Sequence, residues 1–133
     1  MKKLVLDNDS ATVWVYPEKK IIHHQFNGFM HGDIFRGVML AATKAFVENR
    51  CTKWLSDDRK NSALPRPDLE WAEKEWEPVV IKAGWKHWAI VVPVKVVGQM
   101  SMKRLAKRLS DLNVNVKLFS DPKDALLWLE QQQ

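Results

Sequence analysis

Segments with strand-like and helix-like patterns alternate strictly along this chain after an N-terminal hairpin. Residues 12–16 and 21–26 are rich in β-forming side chains and flank a turn at 17–20, which predicts the hairpin. The predicted order after it is helix, strand, helix, strand, helix, strand, helix, with the strands over 53–57, 88–92 and 114–119. Such alternation implies right-handed crossovers and a mostly parallel sheet.

Two of the predicted strands differ in character. Residues 88–92 form a near-continuous apolar run, which is typical of an internal strand covered on both faces. Residues 114–119 alternate apolar and polar side chains like an edge strand. We therefore predict an α/β fold in which the hairpin and three further strands form one mixed, mostly parallel sheet with about four helices. A single domain is expected over residues 1–133, with its core over about 12–129.

Composition excludes several classes of protein. Hydrophobic content of 46% and charged content of 28% are close to globular averages, and no segment has the length of a transmembrane helix. The opening residues 1–7 are too short for a signal peptide. Cys51 is the single cysteine, so no intrachain disulfide can form, and a cytoplasmic location is expected.

The chain is basic, with a formal charge of +5 and a pI near 9.4. No Gly-rich or aromatic RNA-binding motif separates its basic residues, so we expect no specific nucleic-acid partner. One basic patch follows helical spacing, at Lys103, Arg104, Lys107 and Arg108. This patch suits phosphates or an acidic partner, and a solvated helix face explains it equally well.

The most informative segment is the strand 53–57 and the charged residues that follow it. Asp57, Asp58, Arg59 and Lys60 fall at the carboxyl end of a buried strand, where open α/β sheets usually place their binding sites. They predict a surface for a polar ligand or a partner loop. In the alternative interpretation, Asp57 caps backbone amides and Arg59 pairs with an acid such as Glu70. Both interpretations keep these residues out of the core.

Two tryptophans of the following helix are expected to differ. Trp76 shares the predicted apolar stripe of Leu69, Ala72 and Val79, whereas Trp71 falls off it. We therefore predict that Trp76 lies in the core. Either Trp71 or Trp85, which lies in the turn after the helix, is predicted to be the wall of a cleft or an exposed binding anchor.

Neither a metal site nor a catalytic site is predicted. His23 and His24 are adjacent in a strand and so point to opposite faces, while His31 and His87 are isolated. The sequence has no Ser-His-Asp order, Gly-rich phosphate loop or nucleophile elbow. We expect a protein that is not an enzyme and has no cofactor.

A family resemblance is carried by residues 54–59, 68–71, 76–78 and 125–129, together with the order of elements. The chain resembles the SpoIIAA-like group of STAS domains from about residue 12 to 129. The resemblance implies a cytosolic α/β module. Such modules either regulate by binding a partner, as anti-sigma-factor antagonists do, or are uncharacterised and expected to hold small apolar ligands.

The phosphorylation site of the antagonists has no counterpart here. Their phosphorylated Ser follows an Asp in an Asp-Ser-Ser/Thr-Gly type of turn, whereas residues 57–61 are Asp-Asp-Arg-Lys-Asn. Ser56 precedes the acids within the strand, and Ser62 comes several residues late. We predict that this loop is a recognition surface and not a phosphorylation switch.

The leading functional prediction is a non-enzymatic cytosolic regulatory or partner-binding module that uses the surface from Asp57 to Trp71. The alternative is a carrier of a small apolar or lipid-like ligand, held between helices and sheet by Trp, Phe and Met39 side chains. The expected partner is thus a protein or a small apolar molecule, and the sequence leaves a homodimer open.

Overall fold

A computed structural model of the protein covers residues 1–61, 64–92 and 96–133, without the side chains of residues 96–99 and 101. The described strands are β1 (Lys3–Asp7), β2 (Ala11–Tyr16), β3 (Ile21–Phe26), β4 (Lys53–Asp57), β5 (His87–Val91) and β6 (Asn115–Phe119). The helices are α1 (Gly32–Glu48), α2 (Arg66–Trp71), α3 (Glu77–Lys82), α4 (Val96–Ser110) and α5 (Pro122–Gln131). A π-helical turn, Ala72–Trp76, joins α2 to α3, so that these segments run on as one helical stretch.

The π-helical turn lies next to Pro78. Proline has no N–H to donate to the carbonyl four residues earlier, here that of Lys74, and its ring clashes with that carbonyl in a regular helix. The wider hydrogen-bonding pattern of the turn accommodates the proline without ending the helical stretch.

The strands lie in the sheet in their order along the chain, β1-β2-β3-β4-β5-β6. The first two pairs are antiparallel and the next three are parallel. The predicted α/β class, the mixed and mostly parallel sheet, internal β5 and edge strand β6 are therefore confirmed. The predicted number of strands is wrong by one, because Lys3–Asp7 has only three consecutive apolar residues and yet pairs with β2.

The two faces of the sheet carry separate cores. Helices α1 to α4 cover the first face, where the larger cluster includes Phe46, Trp54 and Trp88. Helix α5 covers the second face over β4, β5 and β6, and its Leu129 packs in a smaller cluster with Leu55. An ion pair between Lys19 and Glu130 ties the end of α5 to the hairpin loop. This one-sided arrangement follows from strand order, since right-handed crossovers that advance in one direction place their helices on one face.

Four tryptophans pack together in the larger core: Trp54, Trp76, Trp85 and Trp88. Their ring centroids lie 5.1–6.2 Å apart. Every one of the four indole N–H groups donates a hydrogen bond inside the protein. Trp76 is only 4% exposed, which confirms its predicted place in the core. Trp85 is 3% exposed and belongs to the same core, so the prediction that it is an exposed anchor is wrong.

Three of the helices are followed by a residue whose backbone has the left-handed conformation, with a positive φ. Gly84 (φ 108°), Arg50 (φ 52°) and Asn113 (φ 70°) follow α3, α1 and α4 respectively. In all three cases the next residue donates its N–H to a carbonyl five residues earlier, as in a Schellman motif. Arginine is the least suited of the three to this conformation.

Candidate functional site

The two adjacent acids at the end of β4 point to opposite faces of the sheet. Asp57 is the last residue of β4 and lies on the α5 side, where the Arg59 guanidinium donates to both of its carboxylate oxygens, at 2.9 and 2.8 Å. Arg59 also donates its backbone N–H to Asp57. Asp57 therefore caps an amide, as the alternative interpretation expected, but its partner Arg59 does not pair with Glu70, which contacts Arg66.

Asp58 lies under the helices of the first face, in the core. Its carboxylate accepts a hydrogen bond of 2.9 Å from His24 Nε2, and Asp58 and His24 are only 5% and 2% exposed. The prediction that Asp57 and Asp58 stay out of the core is wrong for both, since Asp57 is also only 2% exposed. The strand-like pairing continues past Asp57, because the Asp58 N–H donates to Val91 on β5, and so the next side chain turns inward.

The hydrogen bonds of His24 fix its tautomer. Trp54 Nε1 can only donate, and it lies 2.9 Å from His24 Nδ1. Nδ1 is therefore the acceptor, and Nε2 carries the proton that is donated to Asp58. Both ring nitrogens are thus occupied by protein groups in a neutral imidazole.

Further polar side chains hold the loops at the carboxyl edge of the sheet. Asn61 accepts from the backbone N–H of Met30, and Asp68 accepts from that of Gly32. These bonds attach the β3–α1 loop to the segment that starts α2. Ser56 accepts a hydrogen bond of 2.8 Å from Trp88 Nε1, which joins β4 to β5 below the loops.

A cavity of about 30 Å³ lies among these groups, between the sheet and the helices of the first face. Its polar wall includes His24, Ser56 and Asp58, and the rest is mostly aromatic, aliphatic and methionine side chains. A volume of this size holds about one or two water molecules. The cavity is at the carboxyl ends of the parallel strands, which is the predicted position for a site in this class of fold.

The other predicted site residues surround the loop without entering the cavity. Lys60 is exposed. Trp71 is half-buried, with its ring centroid 5.9 Å from that of Phe35 and the Arg36 guanidinium 5.6 Å from its centroid. Trp71 therefore packs at the rim of the helical layer, outside the core that holds Trp76, as predicted.

The predicted basic patch on α4 is smaller than its spacing implied. Lys103, Arg104 and Lys107 are exposed. Arg108 is half-buried and forms ion pairs with Glu73 and with the buried carboxylate of Glu77. Arg108 thus joins α4 to α3 and is not a member of a free basic surface. Burial raises the pKa of Glu77, and the Arg108 guanidinium opposes that rise.

Two further residues of reactive type, Cys51 and His23, are buried, and the Nε2 atom of His23 has no hydrogen-bond partner among the described residues. Burial raises the pKa of the Cys51 thiol to about 11, so the thiolate is scarce at neutral pH. Burial, with a further contribution from the neighbouring His24, lowers the pKa of His23 to about 3. His23 and His24 lie on opposite faces of β3, as predicted. The described residues contain no group of three metal-ligating side chains.

Two residues of the site, His24 and Ser56, were missed as members of a common cavity. Period-two alternation already places His24 on the face of Ile22 and Phe26, and Ser56 on the face of Trp54. Parallel pairing then sets His24 opposite Ser56. Ser56 is fully buried, and Ser62 lies outside the described residues.

Within the described ranges, no helix has both the length and the apolar character needed to cross a membrane.

No known family profile matches the sequence, and no curated protein matches it. Among solved structures, the chain is similar to the crystal structure of an uncharacterised protein of the DUF3478 family with a SpoIIAA-like fold, from Shewanella loihica PV-4. The two sequences are 18% identical, and the match covers 97% of this chain and 92% of that chain with a TM-score of 0.49. This likeness assigns no function to the chain.

Proposed function

We propose that the protein is a non-catalytic binding module that holds a small, largely apolar molecule in the cavity between the sheet and helices α1 to α4. The observation that carries this proposal is the composition of the cavity wall. Apolar side chains dominate it, and a few polar groups converge at one end, as in sites for small organic ligands. This function corresponds to the alternative that we predict from the sequence, a carrier of a small apolar or lipid-like ligand.

The polar end of the cavity offers directional bonds to a ligand. Ser56 accepts from Trp88, and its own hydroxyl proton has no acceptor among the described residues. Asp58 lines the cavity and accepts from His24 through Oδ1, and no hydrogen bond to its Oδ2 is found among the described residues. A ligand hydroxyl can therefore bond to both groups.

The apolar wall is adaptable. Met39 and Met102 line the cavity, and methionine fills irregular space with little cost in changing rotamer. A volume of about 30 Å³ holds only one or two water molecules, so a ligand enters only when these side chains move.

The protonation pattern of His24 supports binding over catalysis. A general base needs a free ring nitrogen that reaches the substrate. Both nitrogens of His24 are engaged, by Trp54 and Asp58.

Partner binding through residues 57–71 remains a prediction of the sequence. The charges that motivated it largely satisfy one another, since Arg59 pairs with Asp57 and Asp58 pairs with His24. We therefore propose ligand binding in the cavity as the main function, ahead of partner binding through residues 57–71.

The test uses 1-hexanol, an uncharged probe with a small polar head. Ala72 lines the cavity and is 7% exposed, so Ala72→Leu fills the space that the probe needs. Ala83→Leu is the matched control, because Ala83 is exposed at the end of α3. We expect hexanol to raise the melting temperature of the natural protein and of the control, and to lose at least about tenfold in affinity for Ala72→Leu.

Calorimetric titration measures the affinities, and circular dichroism confirms that both variants are folded. Native mass spectrometry of the protein purified from its own cells adds the identity of any retained molecule. The proposal is abandoned if hexanol does not bind the natural protein, or if it binds the two variants equally.

A further inference from the structure

A second concavity lies on the outside of the same helical layer. A groove of about 240 Å³ runs between α4 on one side and α2 with the π-helical turn that follows it on the other. Its lining residues are Leu69, Glu73, Arg104, Leu105 and Arg108. Its floor is apolar and its rim is charged. Small-molecule sites begin at volumes of about 300 Å³, so the groove approaches the size of a ligand site.

Leu105 is a wall of both the groove and the inner cavity. Its side chain is partly buried and packs against the large core cluster. Leu105 is therefore shared by the outer groove and the cavity of His24 and Asp58. A change of its rotamer is one movement that can connect the two spaces.

Two arginines and two glutamates lie at or beside the groove, and they differ in their pairing. Arg108 is held by Glu73 and Glu77. Arg104 is exposed and has no ion-pair partner among the described residues. Arg104 thus presents a guanidinium outside any ion pair of the described residues, and its N–H groups can donate two parallel hydrogen bonds to a carboxylate.

From these observations we propose that the ligand is an amphipathic anion whose carboxylate lies at Arg104 and whose hydrocarbon chain passes Leu105 into the inner cavity. This inference rests on the proposed function, and it names the ligand class and its direction of binding. The inner carboxylate of Asp58 repels an anionic head, which places the head outside and the chain inside. A free fatty acid and the acyl chain of an acidic lipid share this chemistry.

The experiment compares three probes of equal chain length: hexanoate, 1-hexanol and hexylamine. Affinities are measured by calorimetric titration at pH 7, where hexanoate is anionic and hexylamine cationic. We expect hexanoate to bind about fivefold more tightly than hexanol, as suits an exposed charge pair. This preference should disappear in about 1 M NaCl, where the Debye length falls to about 3 Å.

Arg104→Gln removes the proposed anchor, and Lys103→Gln is the matched control on the same exposed part of α4. We expect Arg104→Gln to abolish the preference for hexanoate and to leave hexanol affinity unchanged. Lys103→Gln should retain the preference. Ala72→Leu should weaken hexanoate and hexanol alike, because both chains need the inner cavity.

Four results would overturn the inference. Equal binding of hexanoate and hexanol, insensitive to Arg104→Gln, rejects the anionic head but leaves the proposed function in place. If hexylamine binds more tightly than hexanoate, the charged head group lies at Asp58 and not at Arg104. Hexanoate binding that is unaffected by Ala72→Leu confines the ligand to the surface groove. Failure of all three probes to bind removes the proposed function as well.

The source of a natural ligand is resolved by two further arms. Native mass spectrometry after titration with oleate reports a free fatty acid as a defined mass increment. Co-sedimentation with phosphatidylcholine vesicles containing phosphatidic acid reports binding to a lipid surface. Binding of oleate, or retention on the vesicles, that is weakened in Arg104→Gln and unchanged in Lys103→Gln supports the inference. Equal binding by the two variants contradicts it.

Discussion

Replacing Asp58 by Ala should destabilise the fold by about 3 kcal/mol, in contrast to the small effect expected for an exposed loop residue. The change removes the acceptor of the His24 Nε2–H bond, and a hydrogen bond to a charged group contributes about 1.5–3 kcal/mol. It also leaves that N–H without a partner at a position that is 2% exposed, which costs about 1–3 kcal/mol. The adjoining cavity can supply a water to the N–H, which keeps the total near the lower part of the combined range.

Asp58→Asn should cost only about 1 kcal/mol, because its amide oxygen still accepts from His24 while the charge is lost. Lys60→Ala is the control within the same loop, and as an exposed side chain it should change stability by less than about 0.5 kcal/mol. Urea denaturation followed by tryptophan fluorescence measures all three. Equal midpoints for Asp58→Ala and Lys60→Ala would show that the bond with His24 does not stabilise the fold.

Three other substitutions test separate features of the fold. Arg108→Ala leaves the buried Glu77 carboxylate unpaired and should cost about 1–2 kcal/mol after allowance for the exposure of the arginine, whereas Lys107→Ala should cost less than about 0.5. Identical urea midpoints would exclude a stabilising ion pair. Arg50→Gly relieves the left-handed conformation after α1 and should stabilise by about 0.5–1 kcal/mol; a lower melting temperature would contradict this. The stabilisation associated with neutral His23 is fully present above about pH 6.5, its unfolded pKa, and is lost as the pH falls toward about 3, its folded pKa. His23→Phe should therefore flatten the loss of unfolding free energy over that range, and a parallel loss in both proteins would refute the assignment.

The sequence predicts the elements well where the apolar pattern is long. Residues 88–92 become an internal strand because a run of five apolar side chains has no exposed face to present. Strand β1 is not predicted from the sequence, because its apolar run is short. Its short apolar run is at an edge, where pairing with β2 supplies the stability that the pattern does not reveal.

The site is less predictable because it depends on where β4 stops. A cluster of Asp, Arg and Lys is typical of a loop, yet the backbone bond from Asp58 to Val91 extends strand-like geometry by one residue. That extension sends Asp57 and Asp58 to opposite faces. Similarly, helical periodicity places Arg108 in a basic stripe, but only the approach of α3 to α4 brings Glu77 within reach of it.

The position of α5 has a consequence for synthesis of the protein. Among the described elements, α5 is the one that covers the second face, and it follows every strand that it covers. A ribosome adds about 5–20 residues per second, so a nascent chain can complete its first face while Ile21, Leu55 and Val91 are still open to water. The exposed cluster is then a transient target for chaperones or for other nascent chains, until residues 122–131 leave the exit tunnel and cover it.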